Sequence, residues 1–132
     1  FFRQNLKNSI GVCIANNLYC IVALQPTLFG KPAQSRTDEE NFMWNYLYKN
    51  NPPSMEPAFK LYDELQREFA LNTKIDVTNL YNLFNDVKQQ TYFDHCHYNP
   101  LGNELIAASL LEHILPIIKS KDKIVADKQD TL

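Results

Sequence analysis

The sequence has 132 residues, 13 Lys and Arg against 15 Asp and Glu, and a formal net charge of -2. At about 150 residues per domain this bounds it to one small domain, and 45% hydrophobic with 21% charged residues excludes disordered and low-complexity classes. With no basic surplus to neutralise a phosphate backbone, no nucleic-acid partner is expected.

The spacing of Phe2, Leu6, Ile10, Cys13 and Ile14 predicts an amphipathic helix from Phe2 to Ala15. Asn16 and Asn17 can close it, because Asn tolerates the left-handed conformation that helix ends use. The uninterrupted apolar run Leu18 to Leu24 then predicts a strand covered on both faces, stopped by Gln25 and Pro26. Two Pro, a Gly and a Ser make 25–36 a loop. Thr37 and Glu40 have capping-box spacing and open a helix to about Lys49, with Phe42, Met43, Tyr46 and Leu47 as its apolar side. After the break at Asn50 to Pro53, Ser54 can cap a further helix that tolerates Pro57 in its first turn. Its stripe is Ala58, Leu61, Tyr62, Leu65 and Phe69.

Alternation from Lys74 to Leu80 predicts a second strand, with Ile75, Val77 and Asn79 on one side. A polar, aromatic loop, 81–98, leads to a last helix capped by Asn99 with Pro100 in its first position. Leu101, Leu105, Ala108, Leu111, Leu115 and Ile118 are expected to line its buried face, and His113 to be packed or half-exposed. The division is therefore 1–118 as domain and 119–132 as a solvated polar tail, where four Lys and three Asp fall in 14 residues.

The order helix, strand, two helices, strand, helix predicts an α/β class with a parallel sheet. Two strands cannot shelter under four helices without leaving unpaired backbone edges, so strands from a missing half of the domain are expected. The longest apolar run is about a third of the ~20 residues a membrane helix needs, so no membrane span is expected. No signal peptide is visible, and the start at Phe1 suggests a segment of something longer. Three Cys without a Cys-x-x-Cys point to reduced, buried thiols and weakly to a reducing compartment, which stays otherwise open.

The densest reactive group is Tyr92-Phe-Asp94-His-Cys96-His97-Tyr-Asn99, between the second strand and the last helix. Asp94 and His97, three apart, can meet on one side of a turn, where a carboxylate fixes the imidazole tautomer and leaves the other nitrogen as a base. Asp94, His95, Cys96 and His97 could also suggest a metal site. Adjacent side chains are expected to turn apart, however, so no metal is expected. For the same reason Cys96 reads as a spacer. Trp44, Phe42, Tyr46, Tyr48 and Phe29 could line a pocket, but packing against the sheet is the simpler reading.

The stretch Asp94-His-Cys-His97-Tyr-Asn99-Pro-Leu-Gly102-Asn-Glu-Leu-Ile-Ala107 resembles the last motif block of the SGNH hydrolases, or GDSL-type lipases and esterases. The resemblance implies the C-terminal half of a flavodoxin-like, three-layer α/β/α fold. It also implies that Asp94 orients His97, the proton shuttle of a serine nucleophile acting on small-molecule, carbohydrate or lipid esters, with no metal or organic cofactor needed. Blocks resembling the family's Gly-Asp-Ser, glycine and Gly-x-Asn-Asp motifs are absent from these 132 residues. None of Ser9, Ser35, Ser54, Ser109 and Ser120 lies in a strand-to-helix elbow, so this segment alone is expected to be inactive. The alternative is a noncatalytic protein-interaction module or degenerate hydrolase.

Overall fold

The computed structural model describes the backbone of residues 1–129 and the side chains of residues 1–119. In chain order it has α1 (Phe2–Ala15), β1 (Cys20–Leu24), a 3-10 turn (Ala33–Ser35), α2 (Asp38–Tyr48), α3 (Glu56–Phe69), β2 (Ile75–Asn79) and α4 (Pro100–Gln129). β1 and β2 pair in parallel, with Cys20 opposite Ile75 and Leu24 opposite Asn79. The described residues thus form an α/β fold with a two-stranded parallel sheet and four α-helices, as expected.

Local chemistry accounts for most of the boundaries. Asn17 takes a positive φ of 56° and turns the chain out of α1. At α2, the Thr37 hydroxyl accepts from the Glu40 amide while the Glu40 carboxylate accepts from the Thr37 amide, so two orphan donors are satisfied reciprocally. The Ser54 hydroxyl accepts from the Glu56 amide at 3.4 Å where α3 begins. The Asn99 Oδ1 accepts from the Gly102 amide at 2.9 Å and caps α4.

One face of the sheet is the main core. Val22 and Leu24 of β1 and Ile75 and Val77 of β2 pack with Ile10 of α1 and Leu61, Tyr62 and Leu65 of α3. The Tyr62 hydroxyl donates to the Ala23 carbonyl at 2.9 Å, fixing α3 over β1. Asp76 and Thr78 alternate to the other face. There His113 of α4 reaches them, its Nδ1 2.6 Å from Asp76 Oδ2 and its Nε2 3.3 Å from Thr78 Oγ1. A second, smaller core of Leu28, Phe84 and Tyr92 lies among the loops after the two strands, flanked by Met43, Trp44, Tyr98, Leu105 and Ile106.

Three expectations need correction. On α2 the inward side is Glu40, Met43, Trp44 and Tyr48, whereas Phe42, Tyr46 and Leu47 are exposed. Glu40 is drawn inward by Lys31 and by loop amides, and this sets the rotation of the helix. On α4 Leu101 and Leu105 of the expected face are sheltered, together with Gly102, Ile106, Leu110, His113 and Ile117, whereas Ala108, Leu111, Leu115 and Ile118 face outward. The helix has two apolar stripes, and the bonds of His113 to β2 select one. Finally, β1 begins at Cys20, not Leu18, and Leu18 and Tyr19 are exposed.

The last helix also passes the expected end near Ile118 and continues through Gln129; residues 130–132 lie outside the described residues. Its segment Pro100–Lys119, with mean hydropathy 1.3, is long and apolar enough by length and composition to cross a membrane. The uninterrupted-run criterion missed it because Asn103, Glu104, Glu112 and His113 break up the apolar residues. The three cysteines are free and half-buried, and burial, reinforced by a hydrogen bond to Cys13, pushes the Cys20 thiol up to about 11.

Candidate functional site: an aspartate and histidine couple beyond the strand ends

The loop after β2 folds back on itself. Tyr92 and Tyr98 form an antiparallel bridge, and the Phe93 amide donates to the His97 carbonyl at 2.8 Å, so 93–97 is a closed turn at the tip. The Leu28 amide donates to the His95 carbonyl at 3.1 Å, and the Tyr98 hydroxyl donates to the Pro26 carbonyl at 2.7 Å. These two bonds tie the turn to the loop leaving β1. The turn therefore stands beyond the carboxyl ends of both strands, the usual position of sites in open parallel sheets.

Within the turn Asp94 uses both oxygens. Its Oδ1 accepts from the amides of Cys96 and His97, each at 2.9 Å, and its Oδ2 lies 2.7 Å from His97 Nδ1. The Cys96 amide, the His97 imidazole and the His97 amide together hold the Asp94 carboxyl well below the usual carboxylate range, against a smaller opposing effect of burial. Asp94 is thus an anchored anion, and it orients the ring of His97. The His97 side chain is 75% exposed. Its Nε2 makes no hydrogen bond to the described residues and opens to solvent. The expected pair is brought together in an accessible position.

The turn is supported from beneath by a buried ion pair that sequence reasoning did not find. Lys31 Nζ donates to Glu40 Oε2 at 2.7 Å, to the Gln89 carbonyl at 2.8 Å and to Thr91 Oγ1 at 3.1 Å. Glu40 Oε1 accepts from the Thr91 amide at 2.8 Å and the Tyr92 amide at 3.3 Å. Both charged side chains are 0% exposed. Burial alone would raise the Glu40 carboxyl; the Lys31 ammonium and the amides of Thr91 and Thr37 overcome it and hold the group below its ordinary value. The capping box revealed Glu40 as a helix-end residue, but nothing local to Lys31 marks it as buried.

Asn99 and Gly102 complete the support. Asn99 Nδ2 donates to the Gln90 carbonyl at 2.6 Å, and its backbone amide donates to the Thr91 carbonyl at 3.0 Å. A β-carbon on Gly102 would lie 2.5 Å from the Thr91 carbonyl oxygen and 3.0 Å from Tyr98 Cβ, so only glycine lets α4 approach this strand.

The neighbouring positions depart from expectation in one respect. Asp94, His95 and Cys96 do not turn apart: one ligand atom from each lies within 4.8 Å of the other two. The tight turn bonded by Asp94 Oδ1 replaces the extended geometry in which neighbours alternate. Burial, then the charge of Asp94 and a hydrogen bond to it, raise the Cys96 thiol. No serine hydroxyl among the described residues bonds to His97. Ser9 donates to the Asn5 carbonyl, Ser35 to the Asn85 carbonyl, and Ser54 accepts at the start of α3. Ser120 lies outside the described side chains.

Fold and site together define an α/β domain that presents an oriented, solvent-facing imidazole beyond its strand ends. Compared with models of protein families, with curated proteins and with solved structures, the chain matches none of them. A functional reading therefore stands on the geometry and on the motif from Asp94 to Ala107.

Proposed function

We propose that this chain is the C-terminal portion of an SGNH-type serine hydrolase of flavodoxin-like fold that cleaves acyl or acetyl esters. In this reading His97 Nε2 takes the proton of a serine hydroxyl as the oxygen attacks the ester carbonyl, and returns it to the departing alcohol. Water then repeats the cycle on the acyl-serine. Asp94 stays ionised, holds the Nδ1 proton and stabilises the imidazolium. The serine and the oxyanion donors belong to a segment outside these 132 residues. The substrate is an ester of a small molecule, a carbohydrate or a lipid.

The observation that carries the proposal is the couple itself. A carboxylate bonded at 2.7 Å to one ring nitrogen, with the other nitrogen open to solvent, is the arrangement a base needs to meet an arriving hydroxyl. The need for a complementary segment has separate support. Among the described residues each strand is paired on one side only. A groove bordered by Phe2, Ala23, Leu24, Gln25, Thr27, Met55 and Tyr62 also runs beside the end of β1.

The test is a fluorophosphonate probe applied to a longer polypeptide from the same coding sequence. It should label one serine, and labelling should be lost in His97→Ala. The 132-residue chain alone should not hydrolyse p-nitrophenyl acetate at enzyme-like rates; serine-dependent turnover by this chain would contradict the incomplete-triad assignment. A second reading, a noncatalytic interaction module, draws on the outward apolar residues Val12, Ile14, Leu111, Leu115 and Ile118. It gains if the longer polypeptide has no reactive serine.

A further inference from the structure

The turn that carries Asp94 and His97 also gathers a donor set of which ester hydrolysis would use only Asp94. Asp94, His95 and Cys96 each bring one ligand atom within 4.8 Å of the other two. Asp94 Oδ1 and His95 Nδ1 are 3.8 Å apart, and Cys96 Sγ and His97 Nδ1 are also 3.8 Å apart. An ion with nitrogen and oxygen ligands at about 2.0–2.1 Å and sulfur at about 2.3 Å has tetrahedral edges of roughly 3.3–3.7 Å. Small rotations of His95 and Cys96 would therefore close Asp94, His95 and Cys96 around one ion, while His97 Nδ1, 2.7 Å from Asp94 Oδ2, is too near that carboxylate to share the ion and stays outside the set. A carboxylate, an imidazole and a thiol form a borderline-soft combination, suited to zinc or cobalt and poorly suited to magnesium or calcium, which take oxygen ligands. The Asp94 carboxylate is already fixed by two backbone amides. His95 and His97 are exposed, so an ion can enter from solvent.

We propose that the turn binds one zinc-type divalent cation through Asp94, His95 and Cys96, with solvent completing its coordination. The thiol proton leaves to solvent as the sulfur coordinates. Binding does not depend on the hydrolase reading. Its consequence does: the ion draws charge from the carboxylate that orients His97, so bound metal weakens that support and acts as an inhibitor of the site.

Cobalt titration of the tag-free 132-residue chain tests binding without any assay of activity. The expected result is a near-ultraviolet thiolate-to-cobalt charge-transfer band that saturates at one equivalent and is abolished by zinc. Cys96→Ser should remove the band. His95→Ala should weaken binding by about tenfold or more, in line with the sensitivity of metal sites to their immediate surroundings. The Cys13→Ser/Cys20→Ser variant should keep the band, which separates this turn from the other thiols. No band in folded wild-type protein, or a band that survives Cys96→Ser and disappears with Cys13 and Cys20, overturns the proposal. In the longer polypeptide, zinc should block fluorophosphonate labelling of wild type and spare His95→Ala. A cobalt band without any labelling would remove the hydrolase reading alone.

Discussion

Asp94 and His97 sit in one turn with His95 and Cys96, yet their geometry separates their roles. Only His97 is bonded to the anchored carboxylate within normal hydrogen-bond distance, since His95 Nδ1 is 3.8 Å from Asp94. On the proposed hydrolase reading, Asp94→Asn and His97→Ala in the longer polypeptide are expected to lower kcat/KM for p-nitrophenyl acetate by about 10³-fold or more, the size of loss known for triads. In metal-free buffer His95→Ala is expected to cost little. Equal losses at His95 and His97 would force the base to be reassigned. Lys31 and Glu40 make a different kind of demand. Breaking a buried pair leaves an unpartnered charge, so Lys31→Met is expected to destabilise the chain by about 3–5 kcal/mol in urea unfolding. Glu40→Gln added to Lys31→Met should recover part of that loss. Because Glu40 is held below its unfolded value, its stabilising effect is complete above about pH 4.3, the ordinary glutamate value, and is lost as pH falls through the lower folded value. Glu40→Gln should therefore flatten the acid limb of stability against pH, measured by circular dichroism.

Each helix contributes by the face it turns inward. α3 is the simple case: its one apolar stripe meets the sheet through Leu61, Tyr62 and Leu65. α2 instead buries a carboxylate and leaves Phe42 and Tyr46 outside, because Glu40 satisfies amides of the site loop that water cannot reach. α4 is held at three levels: by its Asn99 cap, by the close passage of Gly102 against Thr91, and by His113 on Asp76. Gly102→Ala is expected to cost about 1–3 kcal/mol, since the added carbon meets backbone that cannot simply swing aside. It should also broaden the NMR signals of the 93–97 turn; unchanged stability would mean that the loop below Gly102 yields easily.

Large apolar residues are exposed on two elements of the domain. Phe1, Phe2, Val12 and Ile14 of the first segment, and Leu111, Ile114, Leu115 and Ile118 of α4, all face outward. Together with a sheet of two strands among the described residues, this surface supports the proposal that further chain packs here. A longer polypeptide is therefore expected to show a higher Tm and slower amide hydrogen exchange along Ile21 to Leu24, read by mass spectrometry. Exchange at β1 unchanged by the added chain would argue that nothing pairs with its free edge, and would favour the interaction-module reading.

Local signals in the chain were enough for the α/β class, the parallel pair of strands, the Thr37 to Glu40 capping box, the turn at Asn17 and the Asp94 to His97 spacing. Each depends on residues within a few positions of one another, where stereochemistry and hydrogen bonding act directly. The inward faces of α2 and α4, the burial of Lys31 against Glu40 and Thr91, and the convergence of Asp94, His95 and Cys96 emerged only in three dimensions. Periodicity identifies an apolar stripe but cannot choose between two on α4. That choice was made by Asp76, 37 positions away from His113, just as the loop at Thr91, 51 positions from Glu40, drew its carboxylate inward. Buried polar groups must find partners wherever the chain brings them, and for those pairs proximity is a property of the packed molecule.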